Sequence, residues 1–176
     1  MSYFTKFPNL LYNFTTRTDS APIQDVIVDL TTRINLVMTD QDFQNMCFKY
    51  TIQTNELPEH VSYKFYNTPD LAWTILYVNN IGDLASDWPL SEIELNNYII
   101  SKYGSGNINT LHHYVKLPEN VMMDYSYIVS NYGSQYAMPI TNTDYESQLN
   151  DLKRLIYVIK PENIASFTSK YFGQLS

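Results

Sequence analysis

The chain has 176 residues and a formal net charge of -7, and only 16% of its residues are charged, while 16 Tyr and 8 Phe enrich it in aromatic surface. That length allows one modest core with extended attachments, and the acidic balance leaves no basic stripe to neutralise phosphates, which excludes nucleic acid and an anionic membrane as partners. The single Cys47 excludes an internal disulfide, no Cys/His spacing resembles a zinc site, and neither a signal-peptide core nor a run of about 20 apolar residues is present; the expectation is a soluble protein of a reducing cytosol, made without export.

Residues 1–22 hold Pro8, Pro22 and a Thr/Asp/Ser run with scattered aromatics and read as an arm. From Ile23 the positions Ile23, Val26, Ile27, Leu30 and Ile34 recur at three and four, the spacing of one helical face, which gives a short helix, although Val and Ile suit a strand as well. Phe48, Tyr50 and Ile52 alternate with Lys49, Thr51 and Gln53, the period of a strand. Pro58 fits the first turn of a helix whose buried face is Val61 and Phe65 with Tyr66. Thr68 then caps, Pro69 takes the first helical position, and Asp70 complements the positive end of a second helix carrying Leu71, Ala72, Ile75, Leu76 and Val78. Asn79-Asn80-Ile81-Gly82 ends it.

Ser91 and Glu94 form a capping box, and Leu90 and Leu95 are placed for a hydrophobic staple, so a third helix starts there. Leu95, Tyr98, Ile99 and Tyr103 give its apolar face and Gly104 closes it. Residues 107–141 show little periodicity and receive no assignment. After Thr141-Asn142-Thr143 a helix is expected, since Tyr145, Leu149 and Leu152 share one face. Leu155–Ile159 is short and rich in β-branched and aromatic residues, a strand buried on both sides, and Pro161-Glu162 opens a last helix with Ile164, Phe167 and Tyr171 inward.

Catalytic chemistry finds little support. His112 and His113 are adjacent, and neighbours on a strand or helix point to different sides, so they are poorly placed to share a metal. His60 beside Glu59 reads as a helix cap or surface residue. Asp83, Asp87, Glu92 and Glu94 are close enough in sequence to raise a carboxylate pair, but capping accounts for Glu94 and a turn for Asp83. There is no nucleophile elbow and no phosphate-cradling Gly loop, so neither a catalytic residue nor a cofactor is assigned. The Tyr excess suits protein interfaces, since each ring is broad and apolar with a polar tip. Trp73 and Trp88 are the large anchors, for a core or for a partner.

The string Tyr66-Asn67-Thr68-Pro69-Asp70, Trp73, Asn79-Asn80-Ile81, Asp87-Trp88-Pro89-Leu90-Ser91 and the Tyr98 to Tyr103-Gly104 ending resembles the LysM-bearing baseplate wedge protein of contractile-tailed phages, the product of gene 53 in T-even phages. Thr141-Asn142, Tyr145-Glu146, Lys153-Arg154 and Pro161 continue the resemblance in order, over about two thirds of the chain. Asn67 departs from the Gly common in that turn, a change that Asn tolerates because it accepts positive φ. The first 45 residues match only through Pro8-Asn9-Leu10-Leu11-Tyr12.

The resemblance implies a structural subunit of the virion's tail baseplate, assembled in the host cytoplasm, that joins wedge proteins to one another and to neighbouring wedge copies, with the sheath-initiating tail protein as a further partner. The alternative from another class is a LysM-type module that binds peptidoglycan or chitin. The expected fold is α+β: a small LysM-like unit of strand, helical hairpin and later antiparallel strand, with additional helices and an extended N-terminal arm. The expected boundaries are 1–46 for the arm and short helix, 47–161 for the LysM-like domain with 81–150 inserted, and 162–176 for the C-terminal helix. Tyr66, Asp70, Trp73, Asn80, Trp88, Pro89, Tyr103, Tyr145 and Arg154 are the motif residues assigned to partner binding or to structure. A lone strand would leave backbone donors and acceptors unpaired, at a greater cost than closing a long loop, so Phe48–Gln53 is expected to pair with Leu155–Lys160.

Overall fold

The computed structural model describes residues 3–14, 23–31, 34, 36 and 39–175. In chain order its strands and helices are β1 (Asn9–Phe14), β2 (Ile23–Val28), α1 (Asp40–Met46), β3 (Cys47–Thr51), α2 (Pro58–Tyr66), α3 (Ala72–Val78), α4 (Leu84–Asp87), α5 (Glu92–Tyr103), β4 (Leu111–Lys116), β5 (Val121–Met122), α6 (Tyr125–Tyr132), β6 (Ala137–Thr141), α7 (Asn142–Leu152), β7 (Leu155–Ile159) and α8 (Ile164–Phe172). The fold is α+β with small antiparallel sheets. Two units form: the first from the described residues among 1–50, 56–81 and 156–176, the second from 51–55 and 82–155.

In the first unit β3 pairs with β7. The Lys160 N–H donates to the Met46 carbonyl at 2.8 Å, and beyond the other end of the strands Ile52 N–H donates to the Arg154 carbonyl at 2.8 Å, so the two run antiparallel as expected. Pro58 opens α2, Asn67 ends it at φ 57, and Thr68 caps the 3-10 turn Pro69–Leu71 that leads into α3. Helix α8 follows a 3-10 turn at Pro161–Asn163 and buries Phe167 and Tyr171. These two join Cys47 and Ile159 in a core against which Trp73, Tyr77, Tyr157 and Phe172 pack. Burial of the Cys47 thiol pushes its pKa up to about 11.

The N-terminal region differs from the expected arm and helix. Residues 9–14 and 23–28 form an antiparallel hairpin with Leu11 opposite Val26, and the short helix lies later, at Asp40–Met46 behind the Thr39 cap. Val26, Ile27 and Val28 are stiff at χ1 and fit a pleated ladder better than a helical turn, and the partner strand fixes that choice. The Thr/Asp/Ser run and Pro22 lie outside the described residues.

The second unit holds a three-stranded sheet, β5-β4-β6, across the region left without assignment. Its strands hide their period: a register shift lies between Leu111 and His113, β5 has two residues, and β6 contains Pro139. Val115, Ile128 and Ile140 are buried in this unit, as are Ile99 and Trp88. Helix α5 begins with the Ser91/Glu94 capping box and ends at Gly104, φ 81.

Helix α7 is present as expected but turns a polar face inward. Its N-terminus is capped by Thr141 and Asp144 reciprocally, but the residues it buries are Asn142, Glu146 and Asn150, while Leu149 is 38% exposed and Leu152 74%. Asn142 donates to the Asn107 carbonyl at 2.9 Å and to Thr110 Oγ1 at 3.0 Å. Asn150 accepts from Leu90 N–H at 2.7 Å and donates to the Leu90 carbonyl at 3.0 Å. Spaced by four, the polar residues share one face and each ties down another piece of chain, so that face turns inward. On β7, Ile156, Val158 and Ile159 are buried but Leu155 is exposed, so burial on both sides fails at its first residue.

Candidate functional site

Two outward apolar surfaces stand out, one in each unit. The hairpin of the first unit presents the cross-strand pair Leu11 and Val26, 60% and 61% exposed, with Val28 on the same face. An isolated two-stranded ribbon is marginal in water, and apolar pairs on its open face add to that cost. The chain on both sides of the ribbon is held. Tyr3 packs on Trp73 with ring centroids 4.9 Å apart and its hydroxyl lies 2.7 Å from the Tyr171 hydroxyl; Leu36 N–H donates to Tyr77 Oη at 2.8 Å. The ribbon is therefore an outgrowth of a firm base.

The surface of the second unit is a groove of about 560 Å³ whose apolar lining comes from Leu90, Leu95 and Tyr98 on the α5 side and Leu149 and Leu152 on α7. Helices α5 and α7 pack against each other through the buried polar face. Glu146 Oε1 accepts from Lys102 Nζ and from Tyr103 Oη, both at 2.7 Å. Burial works to raise the Glu146 pKa, but the hydrogen bonds from Lys102 and Tyr103 and the Lys102 charge outweigh it and hold the carboxyl below its ordinary value. The same hydrogen bond to Glu146 holds Lys102 above its own. Since hydrogen bonds seal this contact, Leu149 and Leu152 are left facing outward.

The motif residues do not converge on one site. In the first unit, Tyr66 donates through its hydroxyl to the Ile159 carbonyl at 2.9 Å, and burial pushes its pKa up to about 12. Asp70 and Trp73 line a pocket of about 530 Å³ with Tyr3, Lys6 and Phe172. Trp73 also stacks obliquely on Tyr171, centroids 4.6 Å apart. Asn80 takes the left-handed conformation, φ 53, that ends α3. In the second unit, Trp88 is only 4% exposed and follows α4 directly, with half-buried Pro89 next to it. Tyr103 is the hydroxyl donor to Glu146, and Arg154 Nε donates to Asp151 at 2.9 Å. Tyr145 stacks on His112 at 4.1 Å. Tyr66, Trp88 and Tyr103 thus hold the fold, while Asp70 and Trp73 reach an accessible surface.

The histidine expectation is corrected. The Nδ1 atoms of His112 and His113 lie 2.8 Å apart, because the irregularity between Leu111 and His113 breaks the alternation that would send neighbouring side chains to opposite faces. Burial, with the nearby His112 charge, lowers the His113 pKa. Among the described residues no group of three or more His, Cys, Asp or Glu is arranged to hold a metal ion. His60 is a cap, its Nδ1 accepting from Leu57 N–H at 3.2 Å.

In the first unit sequence reasoning read Asn79 as part of a helix-ending turn. Its amide pairs with Tyr157 as a strand would, donating to the carbonyl at 2.7 Å and accepting from the N–H at 2.8 Å. In the second unit the inward face of Asn142, Glu146 and Asn150 was missed, and their spacing of four was the available signal. A family model described as base plate wedge protein 53 matches residues 4–132 of the chain. No curated protein matches it.

Proposed function

Because the chain belongs to the base plate wedge protein 53 family and so has a structural role in the phage tail baseplate, we propose that it acts there as a joiner, linking wedge proteins to one another and neighbouring wedges during assembly. The observation that carries this reading is that each unit has an outward apolar surface of its own, the Leu11/Val26 ribbon and the Leu149/Leu152 groove. A joining subunit needs at least two faces, and linking two modest contacts in one chain raises the effective concentration of the second once the first is made. The partners in this reading are other wedge proteins, adjacent wedge copies and the sheath-initiating tail protein, in the host cytoplasm and then in the virion tail. Residues 81–150 are read as an insertion in a LysM-like domain of 47–161, because strand β3, the α2-α3 hairpin and the returning strand β7 follow that order.

Tagged chain expressed during infection tests the reading. It should sediment with tail intermediates and bring wedge proteins with it through a salt wash, since apolar area more than charge carries each contact. Recovery of the chain free of tail proteins would contradict it. The alternative, a glycan-binding module, has one feature in its favour, the pocket lined by Tyr3, Trp73 and Phe172 with Asp70 and Thr68. Calorimetric titration with chitin and peptidoglycan oligomers separates the two, because a joiner should give no heat.

A further inference from the structure

The groove beside α7 suggests what kind of partner it takes, an inference that rests on the joining role above. We propose that the surface formed by Leu95 and Tyr98 of α5 and Leu149 and Leu152 of α7 receives a basic amphipathic helix from another baseplate protein. The occupant should be helical because the groove walls are two helices packed side by side, with accessible apolar residues three apart on each; a third helix can lay its own i, i+3 and i+4 anchors between them. Helices offer no free backbone edge, so an added strand has nothing to pair with here.

Charge gives the occupant its sign. Between Gly82 and Leu155 there are nine Asp and Glu against four Lys and Arg. The four cations are already held within the unit: Lys102 by Glu146, Lys116 by Glu119, Arg154 by Asp151, and Lys153 by the Ser86 carbonyl at 2.5 Å. Acids remain at the rim. Asp83 and Lys153 both line the groove, the Lys153 ammonium turned to the Ser86 carbonyl, and Glu92 lies three residues before Leu95, on the same face of α5. An apolar strip in a unit with nine acids against four cations, and with Asp83 and Glu92 against Lys153 at its margin, complements a helix with Leu-like anchors flanked by Lys or Arg.

Two synthetic helical peptides with the same Leu face, one bearing Lys and the other Glu on its polar face, test this with the full chain by fluorescence anisotropy. The Lys peptide should bind, the Glu peptide should not, and Leu149→Ser with Leu152→Ser should weaken the Lys peptide about tenfold or more. Leu152 is 74% exposed and Leu149 38%, so the double variant should still melt cooperatively with a small downward shift, and Leu152→Ser alone should keep the wild-type melting curve. Equal binding of the Lys peptide to wild type and double variant would show adhesion to an acidic surface only and overturn the proposal, as would binding of the Glu peptide or binding of neither. Incorporation of both proteins into tails during infection keeps the two readings apart. Wild type absent from tails contradicts the joining role, whereas a double variant incorporated as well as wild type contradicts the groove assignment alone.

Discussion

Helix α8 turns Phe167 and Tyr171 inward onto Trp73 and Tyr77, while α7 turns Asn142, Glu146 and Asn150 inward and leaves Leu149 and Leu152 outside. Both helices are fixed, but by different forces. The first is held by apolar area removed from water, and of its rings only Phe172 reaches an open pocket, beside Trp73. The second is held by directional hydrogen bonds to chain segments on either side of it, each worth less than a buried ring. Using polar residues for the internal contact keeps the apolar side of α7 available, and an assembly subunit can use that side once it meets a partner.

The largest expected effect is on the apolar side of this comparison. Phe167→Ala should cost about 3–5 kcal/mol in urea unfolding, because the ring is fully buried among aromatic neighbours that cannot close over the void. Trp88→Ala in the second unit should fall in the same range, the ring being almost completely buried. A loss under about 1 kcal/mol in either would mean that the site collapses or that the ring is not a core element.

On the polar side, Asn150→Ala should cost about 1–3 kcal/mol, since it strands both the Leu90 N–H and carbonyl. Glu146→Gln should lower the neutral-pH stability and flatten the acid limb together, because Gln stands in for the protonated carboxyl. The folded Glu146 carboxyl sits below its ordinary value of 4.5, so its contribution is present above that value and lost as pH falls through the folded one. Lys102 sits above its ordinary value of 10.5, so the same contact is complete below 10.5 and lost as pH rises through the folded value. The urea midpoint of wild type should therefore drop in acid more steeply than that of the Gln variant. Parallel acid limbs would show that Glu146 does not carry this linkage.

The smallest effect belongs to the outward face. Leu152→Ser should alter stability by no more than about 0.5 kcal/mol, because a side chain 74% exposed in the free chain has little burial to lose. A loss comparable with that of Asn150→Ala would erase the contrast between the two faces of α7.

What the sequence made legible follows from how local its signals are. The Ser91/Glu94 box, Pro58 and Pro69 at helix starts, the Thr68 cap and Gly104 each act within one turn, and each marks an element the structure contains. The β3-β7 pairing was legible by elimination, since each strand needed a partner. The orientation of α7 was not, because the rule that apolar residues face inward assumes water on the other side; Asn142, Glu146 and Asn150 reverse it through contacts 32 to 60 residues away. The pairing of 9–14 with 23–28 stays open between helix and strand in the sequence for a related reason: Val26 and Ile27 fit either period, and only their partners across the ribbon decide. The candidate surfaces were the least legible part, since exposed Leu and Val look like core in a sequence. Trp88, offered for a core or for a partner, is buried, while Tyr145 and Arg154 sit beside polar neighbours rather than at a common site.

Radical footprinting of the chain, free and within isolated tails, tests most directly the claim that the ribbon and the α7 face are kept apolar for assembly. Leu11, Val26, Leu149 and Leu152 should be labelled readily in the free chain and protected in tails, while Phe167 stays protected in both. Equal labelling of Leu149 and Leu152 in the two states, or of Leu11 and Val26, would contradict the account for that surface.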